Sequence, residues 1–432
     1  MAQKQKIPVI PTELIFPFIL VTTLFALWGF ANDITNPMVA AFRRILLISH
    51  FESSLVQFAF YAGYCFMAVP AAIFIQRFNY KNGILMGLAL YSAGCFLFIP
   101  AGIAMAFWAF LMAYFVMTCG LAFLETTSNP YILSMGSEET STQRLNFAQA
   151  FNPIGSLTGM LIAREFILAR LHTETEVERA LMQTTDPAAF AAIQQADLDT
   201  VSMPYLILGG VVLVFLLFFF FSKLPQSKSA DSGDLKIAET FKRLISNAVY
   251  IRGVIAQAFY VGVQIMVWTF IIQYADIELG MPYKTAQSYN MLAMGIFVSS
   301  RFICTFLLKY VKPSSLLLYL AMGGGIFTLG TIFIKGMTGL YCLVAISACM
   351  SLMFPTIYGI ALKGLGDDAK LGSAGLILAI GGGMLLPPLQ GLLIDKATWF
   401  TWLSSIRFSF VLSLICFIVI AMYGRWVQKH RA

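Results

Sequence analysis

Two carboxylates interrupt otherwise apolar stretches of this chain, Asp33 in LFALWGFANDITNPMVAAF and Glu125 in GLAFLETTSNPYILSMG. Glu125 follows an apolar run from Ala104 to Thr118 and stands ten residues before Met135-Gly136, where the helical pattern ends. At a rise of ~1.5 Å per residue those residues place it about 15 Å from the turn. That is half of a hydrocarbon core ~30 Å thick. A charge at such depth costs several kcal/mol unless it is protonated or paired, which makes an acid there a candidate functional group. A carboxyl group withdrawn from water favours its neutral form. It can therefore carry a proton and release it when the cavity opens to water. Asn129 lies one turn beyond Glu125, and Gln149 and Asn152 sit three residues apart on a face of the next helix able to meet it.

Asn32, Asp33 and Asn36 crowd one turn before Pro37, which must disturb the helix. The plainer alternatives are a hydrated Asp33 near the outer end of its span and a structural Glu125 paired to a helix neighbour. Neutral polar groups accompany the acids. Gln57 and Tyr61 are four residues apart, and Tyr260, Gln264 and Trp268 repeat at the same interval along one helix face, with Asn290 in the span that follows. An amide donates and accepts at once, as a hydroxyl group requires, while an aromatic face covers the C–H side of a sugar ring. Such residues also bridge helices or sit at membrane surfaces. As a set opposite two acids, they point to a pocket for a neutral sugar.

The elements that must hold these residues are membrane helices. Charged residues make up 11% and hydrophobic ones 59% of the 432 residues, and mean hydropathy is +0.79. A soluble protein carries about 25% charged residues, and outer-membrane barrel strands are shorter and alternate. The expected fold class is all-α, with twelve spans at about 14–42, 53–76, 82–102, 105–135, 143–169, 204–222, 247–275, 283–309, 314–334, 338–362, 370–394 and 401–426. Two connections are long: a polar one from Arg170 to Met203, and Lys223 to Ser246, whose PQSKSADSGDLK is a flexible composition. The second divides six spans from six, giving bundles at 1–222 and 247–432 joined by a linker at 223–246. MGSEETSTQRLNFAQAFNPIGSLTGMLI after span four is weakly repeated by LGDDAKLGSAGLILAIGGGMLLPPLQGLLI after span ten. Pro130 and Pro355 also fall at comparable places. Parallel repeats of six spans are a transporter architecture with the site between the halves.

With both termini on the cytoplasmic side, inside segments hold seventeen Lys and Arg against eight outside. That asymmetry sets orientation, so the net charge of +7 is no signal for nucleic acid. The seven cysteines fall in apolar segments without a CxxC pair and read as small apolar fillers. All three histidines (His50, His172, His430) lie outside the expected spans, so neither a metal cluster nor a nucleophile–base set is built there, and no cofactor is expected. Arg301, about two turns from the cytoplasmic end of span eight, reads as a structural side chain that snorkels.

LFALWGFANDITNP, LVQFAFYAGYCFMAVPAAIFIQRFNYKNG, FLETTSNPYILSMG with RLNFAQAFNPIG, AQAFYVGVQIMVWTFIIQYA and MSLMFPTIYGIALKGLGDDAKLGSAGLILAIGGGMLLP cover both halves. In them the chain resembles the fucose permease branch of the major facilitator superfamily, sugar–proton symporters of the bacterial inner membrane. The resemblance implies that Glu125 matches the family's span-four glutamate, linked to proton coupling, and that Gln149 and Asn152 match its span-five amides near the sugar. It also shows a departure. Aligned from Trp28, the family's span-one aspartate position falls on Asn36, and Asp33 occupies an asparagine position one turn earlier. The superfamily's loop signature between spans two and three is worn down to QRFNYKNG. The expectation is a monomeric proton-coupled importer of a neutral monosaccharide, working by alternating access. Sodium coupling, and a facilitator or exporter of another solute, stand beside it.

Overall fold

In lipid, a backbone N–H or C=O without an internal partner costs several kcal/mol, so apolar runs of this length fold as helices. The structure, a computed structural model, describes residues 10–137, 144, 147–224, 237–308, 310–365, 368–396 and 403–430. Among them, ten helices are long and apolar enough to cross a membrane: Thr12–Leu46, His50–Ile75, Tyr80–Ala104, Phe107–Ser134, Pro187–Phe221, Ala248–Leu279, Pro313–Phe333, Gly336–Leu362, Gly375–Lys396 and Ser405–His430. The two other expected spans are helical but shorter or more polar. Span five runs from Asn152–Ile162 into a π-helical turn, Ala163–Leu168. Span eight, Tyr283–Leu307, is 25 residues long and is diluted by Gln287, Ser288, Asn290 and Arg301. Together they make twelve spans in two six-helix bundles.

Close packing within each half follows the weak repeat. A Cβ built on Gly155 of span five would lie 1.9 Å from the carbonyl oxygen of Ala26 in span one. A Cβ on Gly382 of span eleven would lie 1.9 Å from that of Ala258 in span seven. Span five meets span one as span eleven meets span seven, backbone to backbone, and only glycine permits it. The breaks also sit where proline places them. Span one pauses between Ile15–Thr35 and Met38–Leu46, at Asn36-Pro37, just after Asp33. Span ten pauses between Gly336–Met350 and Met353–Leu362, just before Pro355. Arg301 Nε donates to the Ser351 carbonyl there at 3.1 Å, so this arginine does serve the packing.

The stretch from Arg170 to Met203, expected as a connection, is mostly helix: Glu176–Thr185, then Pro187–Phe221. Local capping explains it. Thr175 and Glu178 form a reciprocal capping box, and Asp186 caps a helix with Pro187 in its first turn. Hydropathy is blind to both signals. The hairpin is pinned by Arg179 Nη2–Asp197 Oδ2 at 2.5 Å, with both side chains fully buried, and by Arg43 on Glu176. Beyond the halves' division, Ile237–Ser246 is a helix rather than flexible chain. Its Arg243 donates to both Asp368 oxygens at 2.8 and 2.7 Å, which holds the Asp368 carboxyl below the usual carboxylate range. PQSKSADSGDLK (residues 225–236) and the acids Glu138 and Glu139 lie outside the described residues.

The two glycine contacts give a direct prediction. Gly155→Ala and Gly382→Ala each force a carbonyl out of place, at about 1–3 kcal/mol of overpacking or more. Both should lower the unfolding midpoint of detergent-purified protein. Gly210→Ala, where an added Cβ meets nothing within 4 Å, should leave it unchanged.

Candidate functional site

A buried carboxylate needs donors around it, and span one supplies them locally. The helix pause at Asn36-Pro37 turns Asn36 back so that its Nδ2 donates to Asp33 Oδ1 at 3.0 Å. The side chains of Asn32 and Ser156 also face Asp33. Asp33 is 1% exposed, so it is not the hydrated end-of-helix acid that the alternative reading described. Gln57 Nε2 of span two donates to Asn36 Oδ1 at 3.0 Å and to Thr269 Oγ1 of span seven at 3.0 Å. A polar chain thus runs Asp33–Asn36–Gln57–Thr269 from one half into the other. Tyr61, one turn on from Gln57, donates to Asn32 Oδ1 at 3.0 Å, and its ring packs on Gly383 of span eleven.

Glu125 sits differently. It is half-buried, and its carboxylate has no hydrogen-bond or ion-pair partner among the described residues. Its backbone carbonyl accepts from Asn129 Nδ2 at 3.0 Å, and Asn129 Oδ1 accepts from Gln149 Nε2 at 3.3 Å. Tyr61 lies within electrostatic reach of both Asp33 and Glu125, and Tyr64 within reach of Glu125. Two acids, one enclosed by donors and one bare, therefore share Tyr61 between them, and Tyr64 stands on the Glu125 side.

Gln149 and Asn152 do not share a helix face. The helix pauses at Ala150-Phe151, and Asn152 turns to span one, where Nδ2 donates to the Phe25 carbonyl at 3.3 Å. The three-residue spacing assumed an unbroken helix. In span seven the expected stripe divides too. Tyr260 donates to the Met350 carbonyl at 3.0 Å, and Trp268 Nε1 to Ser347 Oγ at 3.2 Å. Both are buried against span ten and act as packing residues in this state, because that face of span seven meets a helix. Gln264 between them is half-buried, and its amide has no partner among the described residues. Asn290 Nδ2 donates to the Trp268 carbonyl at 3.2 Å and to Gln287 Oε1 at 3.3 Å. Asn290 Oδ1, Gln287 Nε2 and both amide atoms of Gln257 remain buried without partners.

Thr269, Ser156, Gln257 and Gln287 were not among the sequence candidates. A signal existed only for Gln287, three residues before Asn290 and so on its face. His50 also departs from expectation. It is the first residue of the span-two helix, and its Nδ1 meets Gln273 Oε1 of span seven at 2.5 Å. The Asp395 carboxylate of span eleven accepts from the His50 and Phe51 backbone N–H groups at 2.9 and 2.8 Å. Lys284 Nζ meets Glu165 Oε2 at 2.9 Å, Arg164 donates to Ser288 at 3.0 Å, and the Arg44 guanidinium lies 5.3 Å from the Tyr283 ring centroid. These bonds join the halves at one end of the molecule and close it.

Gln57→Leu would leave Asn36 Oδ1 and Thr269 Oγ1 buried without their donor, at about 1–3 kcal/mol. The unfolding midpoint should fall accordingly, and further substitution of Thr269→Val should cost little more, because the two share one bond. A second loss as large as the first would show that the chain between the halves is not a unit.

Comparison with known proteins agrees with this architecture. Residues 20–377 match the Major Facilitator Superfamily. The chain is 51% identical over 418 residues to the L-fucose-proton symporter of Haemophilus influenzae, covering 96% of this chain and 97% of that one. It is 32% identical over 417 residues to the L-fucose-proton symporter of Escherichia coli, covering 95% and 93%. The crystal structure of the superfamily transporter FucP in the outward conformation superposes with a TM-score of 0.71 at 32% identity, over 95% of this chain and 98% of that one. With twelve spans in two halves and these relatives along nearly its whole length, the chain belongs to the major facilitator superfamily, in the fucose permease family.

Proposed function

We propose that the chain is a proton-driven symporter that imports a neutral monosaccharide of the fucose or hexose type. The observation that carries this reading is the bare Glu125 carboxylate beside Asn129, Gln149 and the two tyrosines. It is supported by the two relatives named as L-fucose-proton symporters, at 51% and 32% identity. A carboxyl group at that depth without a donor needs a proton or a ligand. The proton neutralises it in one state, and sugar hydroxyls satisfy it in another, so the two cargoes depend on each other. Asp33 keeps its donors throughout; with Asn32 and Asn36 it shapes the sugar side and assists coupling from one turn away from the family's aspartate position.

In this proposal the bundles at 1–222 and 247–432 rock about the site as a monomer in the bacterial inner membrane, both termini in the cytoplasm. The closed end, with His50, Asp395 and Lys284–Glu165, is then the outer gate, and the site opens toward the cytoplasm. Gln264, Asn290 and the buried amides Gln257 and Gln287 are the second half's reserve of hydroxyl partners. They become available when span seven moves relative to span ten.

The reading is tested in lightly buffered cells expressing the protein, by recording external pH on separate additions of fucose, galactose, glucose, mannose and fructose. Alkalinisation with one sugar is expected; silence with all five in cells with confirmed membrane expression would sink it. Glu125→Gln should abolish accumulation driven by a pH gradient, by about 100-fold or more, while sugar exchange persists, because a fixed neutral amide mimics the protonated acid. Asp33→Asn should retain more accumulation than Glu125→Gln. Accumulation that survives in Glu125→Gln would transfer the proton to another group.

A further inference from the structure

At the end of the second half where its last helix finishes, spans eight, nine, ten and twelve part around a cavity of about 520 Å³. That lies within the ~300–1,000 Å³ of small-molecule sites. Its walls are apolar, with Leu308, Leu352, Ile360 and Val427, and two lysines line it as well, Lys312 and Lys363. Both are exposed, and neither ammonium has a hydrogen-bond or ion-pair partner among the described residues. Lys363 follows the helix Met353–Leu362 as its C-cap, where a cation suits the helix dipole. Lys312 stands at the opposite kind of end: it is the N-cap of Pro313–Phe333, a 21-residue helix that has no side-chain cap. A cation there adds to the positive end of the dipole instead of offsetting it. Two ammonium groups and an uncapped helix start thus converge on one cavity, and no acidic residue lines it.

We propose that this cavity binds one anionic glycerophospholipid, its phosphodiester on Lys312 and Lys363 and an acyl chain along the apolar walls. A free phosphate ester would satisfy the same cations, but it would leave the apolar walls unfilled, and only a lipid uses both parts. Basic pockets between membrane helices are known hosts for anionic headgroups. The site lies within the second half and does not depend on which solute the transporter carries.

Native mass spectrometry of the full chain, purified in detergent, tests it with dioleoyl phosphatidylglycerol and dioleoyl phosphatidylcholine at equal concentration. The protein should retain one phosphatidylglycerol with about tenfold preference, and Lys312→Gln with Lys363→Gln should reduce that retention to the phosphatidylcholine level. A second variant keeps both lysines. Gly359 lines the cavity, and a Cβ added there meets nothing within 4 Å. Gly359→Leu should therefore fill the space and expel the lipid from protein that still elutes as a single species. Equal retention of the two lipids, or unchanged retention of phosphatidylglycerol in both variants, would overturn the proposal. Displacement by millimolar sn-glycerol 3-phosphate would likewise overturn it, assigning the lysines to a free phosphate ester.

Discussion

The cost of placing charge where water is absent governs this molecule. A carboxylate near mid-membrane needs donors, a proton or a ligand, and the two intramembrane acids meet that demand in different ways. Asp33 is enclosed by Asn36, Asn32 and Ser156, so its charge is solvated by the protein itself. The Glu125 carboxylate lies near Tyr61 and Tyr64 and has no hydrogen-bond or ion-pair partner among the described residues. This asymmetry sets an acid enclosed by donors beside one without them within the same half.

The donors around Asp33 exist because the helix breaks there. Without the pause at Asn36-Pro37, Asn36 would not turn back to Asp33 and present its oxygen to Gln57 at the same time. Gln57 then reaches Thr269, so the solvation of one acid is tied to the relative position of the halves. Any rearrangement that separates span two from span seven must break this bond and expose its partners to water or ligand. The orphaned amides of Gln257, Gln287 and Asn290 are the same constraint seen from the second half. Buried polar groups without partners are tolerated where another state or a ligand satisfies them.

Glycine makes the arrangement movable as well as tight. Gly155 against Ala26 and Gly382 against Ala258 bring backbones together in equivalent places of the two halves. The contacts that join the halves at the closed end are polar by contrast: Asp395 with the start of span two, Lys284 with Glu165, and His50 with Gln273. These are short-range and hydrated once separated, which suits a gate.

The membrane class, the positions of most spans, the break at Pro37 and the place of Glu125 within a long apolar helix were legible in the sequence. Hydropathy and proline act locally, so no tertiary information was needed. The glycine repeat was legible as a pattern, but its meaning, one carbonyl contact in each half, required the packed helices. Other features lay beyond local rules. Arg170 to Met203 read as a loop because hydropathy ignores capping boxes. Asn152 parted from Gln149 because a helix pause rotates side chains that spacing alone would align. Tyr260 and Trp268 share a face with Gln264, yet span ten occupies part of that face, and only the packing of helices decides which amide stays open. Thr269 bears no signal of its own: its hydroxyl matters because Gln57, 212 residues away, arrives beside it. Residue type and local periodicity determined what each group could do; tertiary packing decided which partner each group has, because a hydrogen bond belongs to two positions and a sequence specifies them one at a time.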